Sequence, residues 1–229
     1  LTTNKDNLIR YTFDSSIPSN QSKVFNDKLF ISGLENNDSL SYINTTIVDS
    51  IANFGWQPPI KKQDMATVLK YAAFQDGECI SDIKTSTFFI DSTLKSDIII
   101  NRFIDRLISP KKLIITKYSL PIISISTNKD NLYSNKTGLF VAGDKSNLNI
   151  KTSDRARRNI KHSGNYFERG KDFEREVFLQ YFTSDGKLSF ELNIGMRIHG
   201  GITRRNPQKS LKFYVREEYG LKQISFPFM

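Results

Sequence analysis

The chain has 229 residues, 38% of them hydrophobic and 25% charged, with 33 Lys and Arg against 24 Asp and Glu. That balance suits a globular protein better than a disordered one and fits one large domain or two of ordinary size. No apolar run reaches the roughly 18 residues of a membrane helix. Seventeen Phe and nine Tyr, with abundant Ile and Thr, tilt the expectation towards strands. Cys79 is the only cysteine, so an internal disulfide is excluded. The sequence opens at Leu1 with no basic n-region or apolar h-region, so no signal peptide is expected within it.

The net charge of +9 is unevenly spread: 16 basic against 9 acidic residues from Lys151 onward, 17 against 15 before it. A basic last third suits phosphorylated ligands, acidic proteins or nucleic acid, or is simply a solvated face. No nucleic-acid-binding motif accompanies it, and nucleic acid is not the expected partner.

In chain order, Leu8 to Phe13 alternates as a strand, ended by Asp14-Ser15-Ser16 and Pro18. Phe25 to Ile31 reads as a second strand, and Glu35 to Thr46, rich in Asn and Ser, as an exposed loop. The paired prolines of Trp56-Gln57-Pro58-Pro59 exclude regular structure there. Thr67 to Phe74 and Cys79 to Ile90 read as a strand pair joined at Asp76-Gly77. Together these pieces predict an antiparallel sandwich of Ig-like size, over residues 1–91. Leu94 to Ile108 carries apolar residues at helical spacing and also a β-branched run; it predicts a linker helix within 92–120. Ile122 to Thr127 is a strand followed by a short helical turn at Asn128 to Asn131. Asn147 to Ser163 is polar and basic, with Arg155, Arg157, Arg158 and Lys161 clustered, and reads as a loop. Three strands close the chain: Glu176 to Thr183, Phe190 to His199 and Ser210 to Val215. The expected fold is mainly β, an Ig-like β-sandwich followed by a β-rich α+β segment.

Two stretches are more specific than any periodicity. Gly195-Met196-Arg197-Ile198-His199-Gly200-Gly201-Ile202-Thr203-Arg204-Arg205-Asn206-Pro207-Gln208-Lys209-Ser210-Leu211-Lys212-Phe213-Tyr214 resembles the signature of the spore coat protein H (CotH) kinase family. His199 stands for that signature's second Arg, Gly201-Ile202 for Asn-Ser and Gln208 for a Lys. Gly138 to Val141, Asn165-Tyr166, Arg169-Gly170, Glu174-Arg175 and Pro121 to Thr127 are similar to the same family's entry region, so the resemblance covers 121–229. Tyr11 to Pro18, paired with Leu69 to Gly77, resembles the chitobiase C-terminal type of Ig-like module, with Ser15 where Gly is usual.

The CotH resemblance implies the small lobe of an atypical protein kinase, which moves phosphate from ATP, with Mg²⁺, to protein hydroxyls. Phosphoryl transfer needs cations on the phosphates, a metal and a carboxylate that orients the acceptor. The chain offers candidates for the first: Lys209, Arg204, Arg205 and Arg197 as cations, with Gly200 and Gly201 allowing close backbone approach. Strand parity puts Lys209 with Leu211 and Phe213, where a lysine requires a buried anionic partner; Lys212 falls with Ser210, Tyr214 and Arg216. Among the bland readings, Lys209 is a snorkelling edge residue, His199 and His162 are solvated, and Gly200-Gly201 is an ordinary hairpin turn. The resemblance places the family's catalytic and metal-binding Asp residues beyond Met229, so this chain is expected not to catalyse transfer alone; Asp172 and Asp185 are turn residues.

The implied setting is extracytoplasmic, secreted or at the cell surface, with a lipid anchor in the precursor as one mode of attachment. Partners are then a protein substrate or a surface protein or glycan. A second reading is a surface-binding module without catalysis, in which Trp56, Tyr42, Phe54 and Tyr71 offer a stacking platform, although aromatics in a sandwich are more often core. Exposed edges of the last sheet predict a weak homodimer.

Overall fold

The computed structural model describes residues 7–31, 40–46, 55–60, 66–89, 98–101, 120–146 and 163–225. Its chain is mainly β and antiparallel, with strands β1 (Leu8–Thr12), β2 (Lys23–Phe25), β3 (Lys28–Ile31), β4 (Thr67–Gln75), β5 (Glu78–Cys79), β6 (Lys84–Phe88), β7 (Ile98–Asn101), β8 (Ile122–Ser126), β9 (Arg175–Phe182), β10 (Leu188–His199) and β11 (Ser210–Tyr214). One short helix, α1 (Lys129–Tyr133), and several single 3-10 turns complete the described elements.

Residues group into two compact units, each built from separated segments. The first comprises 1–38, 62–128 and 179–191; the second comprises 39–61, 129–178 and 192–229. In the first, β1 lies between β2 and β4, and β4 also pairs with β5 and β6. The register sets Tyr11 opposite Tyr71 and Leu69 opposite Ser86. A separate ribbon pairs β3 with β7, Leu29 opposite Ile100. The buried core joins the two sheets: Leu29 and Ile31 from the ribbon pack with Leu69 and Phe88, and Tyr11, Phe13, Phe25 and Tyr71 close around them. Two sheets sharing one apolar layer make a sandwich, as the alternation in β3 requires, with Lys28 and Phe30 out and Leu29 and Ile31 in.

The hairpin at Asp76-Gly77 has positive φ at both positions, 51° and 88°, the requirement of a type I′ turn. Ser15 also sits at a φ of 64°, which explains why a glycine suits that position.

Three expectations are corrected. Phe25 to Ile31 is not one strand: Asn26-Asp27 divides it, and β2 and β3 go to different sheets. Cys79 to Ile90 is likewise divided. Ser81 Oγ accepts from Ala73 N and donates to Asp82 O, pulling the chain out of extended pairing between β5 and β6. The linker helix expected over 94–108 contains strand β7, because Ile98-Ile99-Ile100 is β-branched throughout and finds an antiparallel partner. The rest of that stretch lies outside the described residues, as do Arg155, Arg157, Arg158, Lys161, His162 and Phe54.

In the four-stranded sheet the order is β11-β10-β9-β8. On β10 the residues Ile194, Met196 and Ile198 are buried, while Arg197 is half-buried and His199 exposed. Beside it, Asn165 ties two turns together: its Nδ2 donates to Asn135 O and its Oδ1 accepts from Lys145 N. Gly143, at φ 57°, is where a Cβ would come within 2.2 Å of that amide. Among the described residues no helix is long and apolar enough to cross a membrane.

Candidate functional site

The connection from β10 to β11 holds most of the residues singled out in the sequence. Gly200 leaves β10 at φ 109°, and a Cβ there would lie 2.6 Å from Thr203 Oγ1. Ile202–Arg205 then forms a 3-10 turn. Arg204 folds back into the protein and is 7% exposed. Its Nε donates to Gly200 O at 2.7 Å, and its Nη1 to Tyr166 O and Glu168 O at 3.2 and 3.0 Å. Burial lowers its pKa.

Lys209 completes the loop. Its Nζ donates to Thr45 O, Arg204 O and Asn206 O at 2.7, 3.0 and 2.8 Å, and lies 4.2 Å from the centre of the Tyr166 ring. Thr45 Oγ1 donates in return to Pro207 O at 2.8 Å. The partner that parity demanded for this lysine is therefore not an anion: three carbonyl dipoles and an aromatic face serve in its place. Burial pushes the Lys209 pKa down to about 7, so these acceptors are what favour the charged form. An ammonium has three donors, and all three are engaged.

Arg197 belongs to a second cluster. It shares a strand face with Lys212, directly opposite on β11, and with Tyr214, opposite Gly195. At the centre is Glu174, whose side chain is 1% exposed. Its Oε2 accepts from Arg197 Nε and Nη2 at 2.7 and 2.6 Å and from Arg216 Nη2 at 3.3 Å. Its Oε1 accepts from Arg216 Nε at 3.0 Å and from Tyr219 Oη at 2.9 Å. Burial alone would raise its pKa, but the hydrogen bonds from Arg216, Tyr219 and Arg197 outweigh burial and hold it below the usual carboxylate range. Gly195 makes room for this carboxylate, since a Cβ on it would fall 2.5 Å from Glu174 Oε1.

The structure thus brings Gly200, Arg204, Arg205 and Lys209 into one loop and sets Arg197 in a separate group. Gly201 has open space where a side chain would be, and Arg205 is half-buried on the same turn. His199 is exposed and opposite Ser210. Sequence reasoning missed Glu174, Arg216 and Tyr219. The available signal was Gly195, a glycine inside a strand, which marks close approach of another group. Asp172 and Asp185 lie in turns; Asp185 pairs with Lys187 and Thr183. Of the aromatic residues, Tyr71 packs on the sandwich core, while Tyr42 is exposed and Trp56 half-buried in the other unit.

For a divalent metal, the described residues do not fit: they hold no group of three or more His, Cys, Asp or Glu, and both oxygens of Glu174 are saturated. For a nucleotide, the open positions are Gly201 and the outward parts of the cations.

No curated protein and no solved structure matches the chain. Residues 1–88 match the model of the Fn3-associated family, which supports an Ig- or Fn3-like module in the first part of the chain.

Proposed function

We propose that residues 121–229 are the phosphate-handling part of an extracytoplasmic CotH-like protein. Its complete form transfers phosphate from ATP, with Mg²⁺, to hydroxyls of secreted or surface proteins, and the Fn3-associated stretch is its accessory module of chitobiase C-terminal type. The observation that supports this reading is the loop 200–209. Three residues of the stretch that resembles the family signature hold its shape: Gly200 turns the chain, Arg204 clasps Gly200 O, and Lys209 fastens Arg204 O and Asn206 O. The loop's backbone stays open at Gly201, beside Arg205, and a phosphate meets both there.

The test is calorimetric titration with MgATP and MgADP of the wild type and Arg205→Ala. Lys209 and Arg204 are unsuitable probes because their loss dismantles the loop itself. Saturable binding weakened about tenfold, near 1.4 kcal/mol, in Arg205→Ala is the expected result. Absence of saturable nucleotide binding, or binding indifferent to Arg205, overturns the nucleotide role of the loop.

A further inference from the structure

The strongest unassigned feature is the collection of cations around Tyr214. The ring centre lies 4.5 Å from the Arg197 guanidinium carbon, 4.9 Å from that of Arg216 and 5.3 Å from Lys212 Nζ. Three like charges about one ring repel unless something neutralises them. Glu174 neutralises one; Glu218 lies 4.0 Å from Arg216 Nε but is also paired with Lys171. Lys171, Arg197, Lys212 and Arg216 therefore outnumber Glu174 and Glu218 by two charges.

Geometry shows where the surplus points. Both arginines present the same edge, Nε and Nη2, to Glu174. Among the described residues neither Nη1 has an acceptor, and Lys212 Nζ has the Tyr214 ring alone. Lys212 is exposed. The buried carboxylate fixes two guanidinium planes, with the Arg216 side chain 38% and the Arg197 side chain 19% exposed, so their orientation is set before any ligand arrives. Paired guanidinium donors with an ammonium suit a tetrahedral dianion.

We infer that the polar face of β10 and β11, through Arg197, Lys212 and Arg216 around Tyr214, is a binding site for a phosphate group carrying two negative charges, with Glu174 as the positioning residue that orients both arginines. The site is separate from the loop 200–209 and does not depend on a nucleotide as the source of the phosphate.

Inorganic phosphate is the probe. The full chain is titrated at constant ionic strength against a chloride reference, following the side-chain ¹H–¹⁵N signals of the arginine Nε groups. Saturable shifts at Arg197 and Arg216, with affinity reduced about tenfold in Lys212→Gln and unchanged in Lys222→Gln, are expected. Lys212 makes no hydrogen bond within the described fold, so its loss leaves the protein intact. Lys222 is an exposed lysine paired with Glu217 and controls for net charge. No saturation, or equal weakening in both variants, overturns the site, because either would mean diffuse attraction. A parallel ATP titration separates the sources. ATP binding tighter than phosphate and equally dependent on Lys212 makes a nucleotide the donor of the phosphate. Equal affinity for phosphate and ATP, both dependent on Lys212, keeps the anion site and sinks the nucleotide reading, whereas phosphate binding dependent on Lys212 beside ATP binding indifferent to it keeps the anion site and places the nucleotide elsewhere.

Discussion

At the scale of single residues, Glu174 shows how a buried charge is tolerated: five donors reach its two oxygens. Removing one partner of a buried ion pair leaves the others uncompensated. Its folded-state pKa lies below the ordinary Glu value, which is about 4.3 in an unfolded chain. The carboxylate's contribution is therefore fully present above that pH and is lost as pH falls through the lower folded value. Glu174→Gln is expected to cost about 2–3 kcal/mol at pH 7, discounted for the partial exposure of both arginines. Urea melts of wild type and variant should begin to converge as the pH falls below about 4.3 and meet only below the lower folded value, where Glu174 becomes a neutral acid like its replacement. A constant gap down to pH 3 would show that the carboxylate's charge is not what matters. Little of this was legible beforehand. Parity placed Lys212 with Tyr214 and Arg216, and Arg197 on the polar face of β10, but only the register Arg197 opposite Lys212 joins them. Glu174 reaches them from outside both strands, at a sequence distance no periodicity covers.

Among the elements, those with local chemistry were the readable ones. Asp76-Gly77 announces its hairpin because both positions need φ above zero, and β4 and β9 to β11 follow their apolar patterning closely. Gly77→Ala is expected to destabilise by about 1 kcal/mol. The added methyl meets nothing within 4 Å, so backbone strain at φ 88° is the sole cause. A thermal midpoint for Gly77→Ala equal to that of the wild type would rule out backbone conformation as a cost at this turn. Elements set by distant partners were misread. Strand β7 lies in a stretch, Leu94 to Ile108, whose apolar spacing fits a helix, and its β-branched run decides for a strand with β3 beside it. The break at Ser81 depends on a hydrogen bond from Ala73 N, eight residues away on another strand.

For the whole molecule, sequence order and spatial order differ. The match to the Fn3-associated family covers 1–88, yet 39–61 group with the second unit, and the first takes in 98–101 and 179–191. Thr45 shows the physical reason for the first displacement: its carbonyl accepts from Lys209 and its hydroxyl donates to Pro207 O. Within the first unit, Thr87 Oγ1 donates to Gln180 Oε1 at 2.6 Å, and the Phe89 and Phe182 rings meet edge to face at 5.4 Å. A chain cut after residue 91 keeps the whole family match but loses β7, Gln180 and Phe182. Strand β3, which supplies Leu29 and Ile31 to the core, then has no strand to pair with among the described residues. A sheet edge without its partner, with the contacts of Thr87 and Phe89 to Gln180 and Phe182 lost, does not support a cooperative transition. Residues 1–91 alone should therefore unfold in urea over a broad range, with a midpoint well below that of the whole chain. A sharp transition at the whole-chain midpoint would show instead that the matched stretch folds by itself and that β7, Gln180 and Phe182 add nothing to its stability.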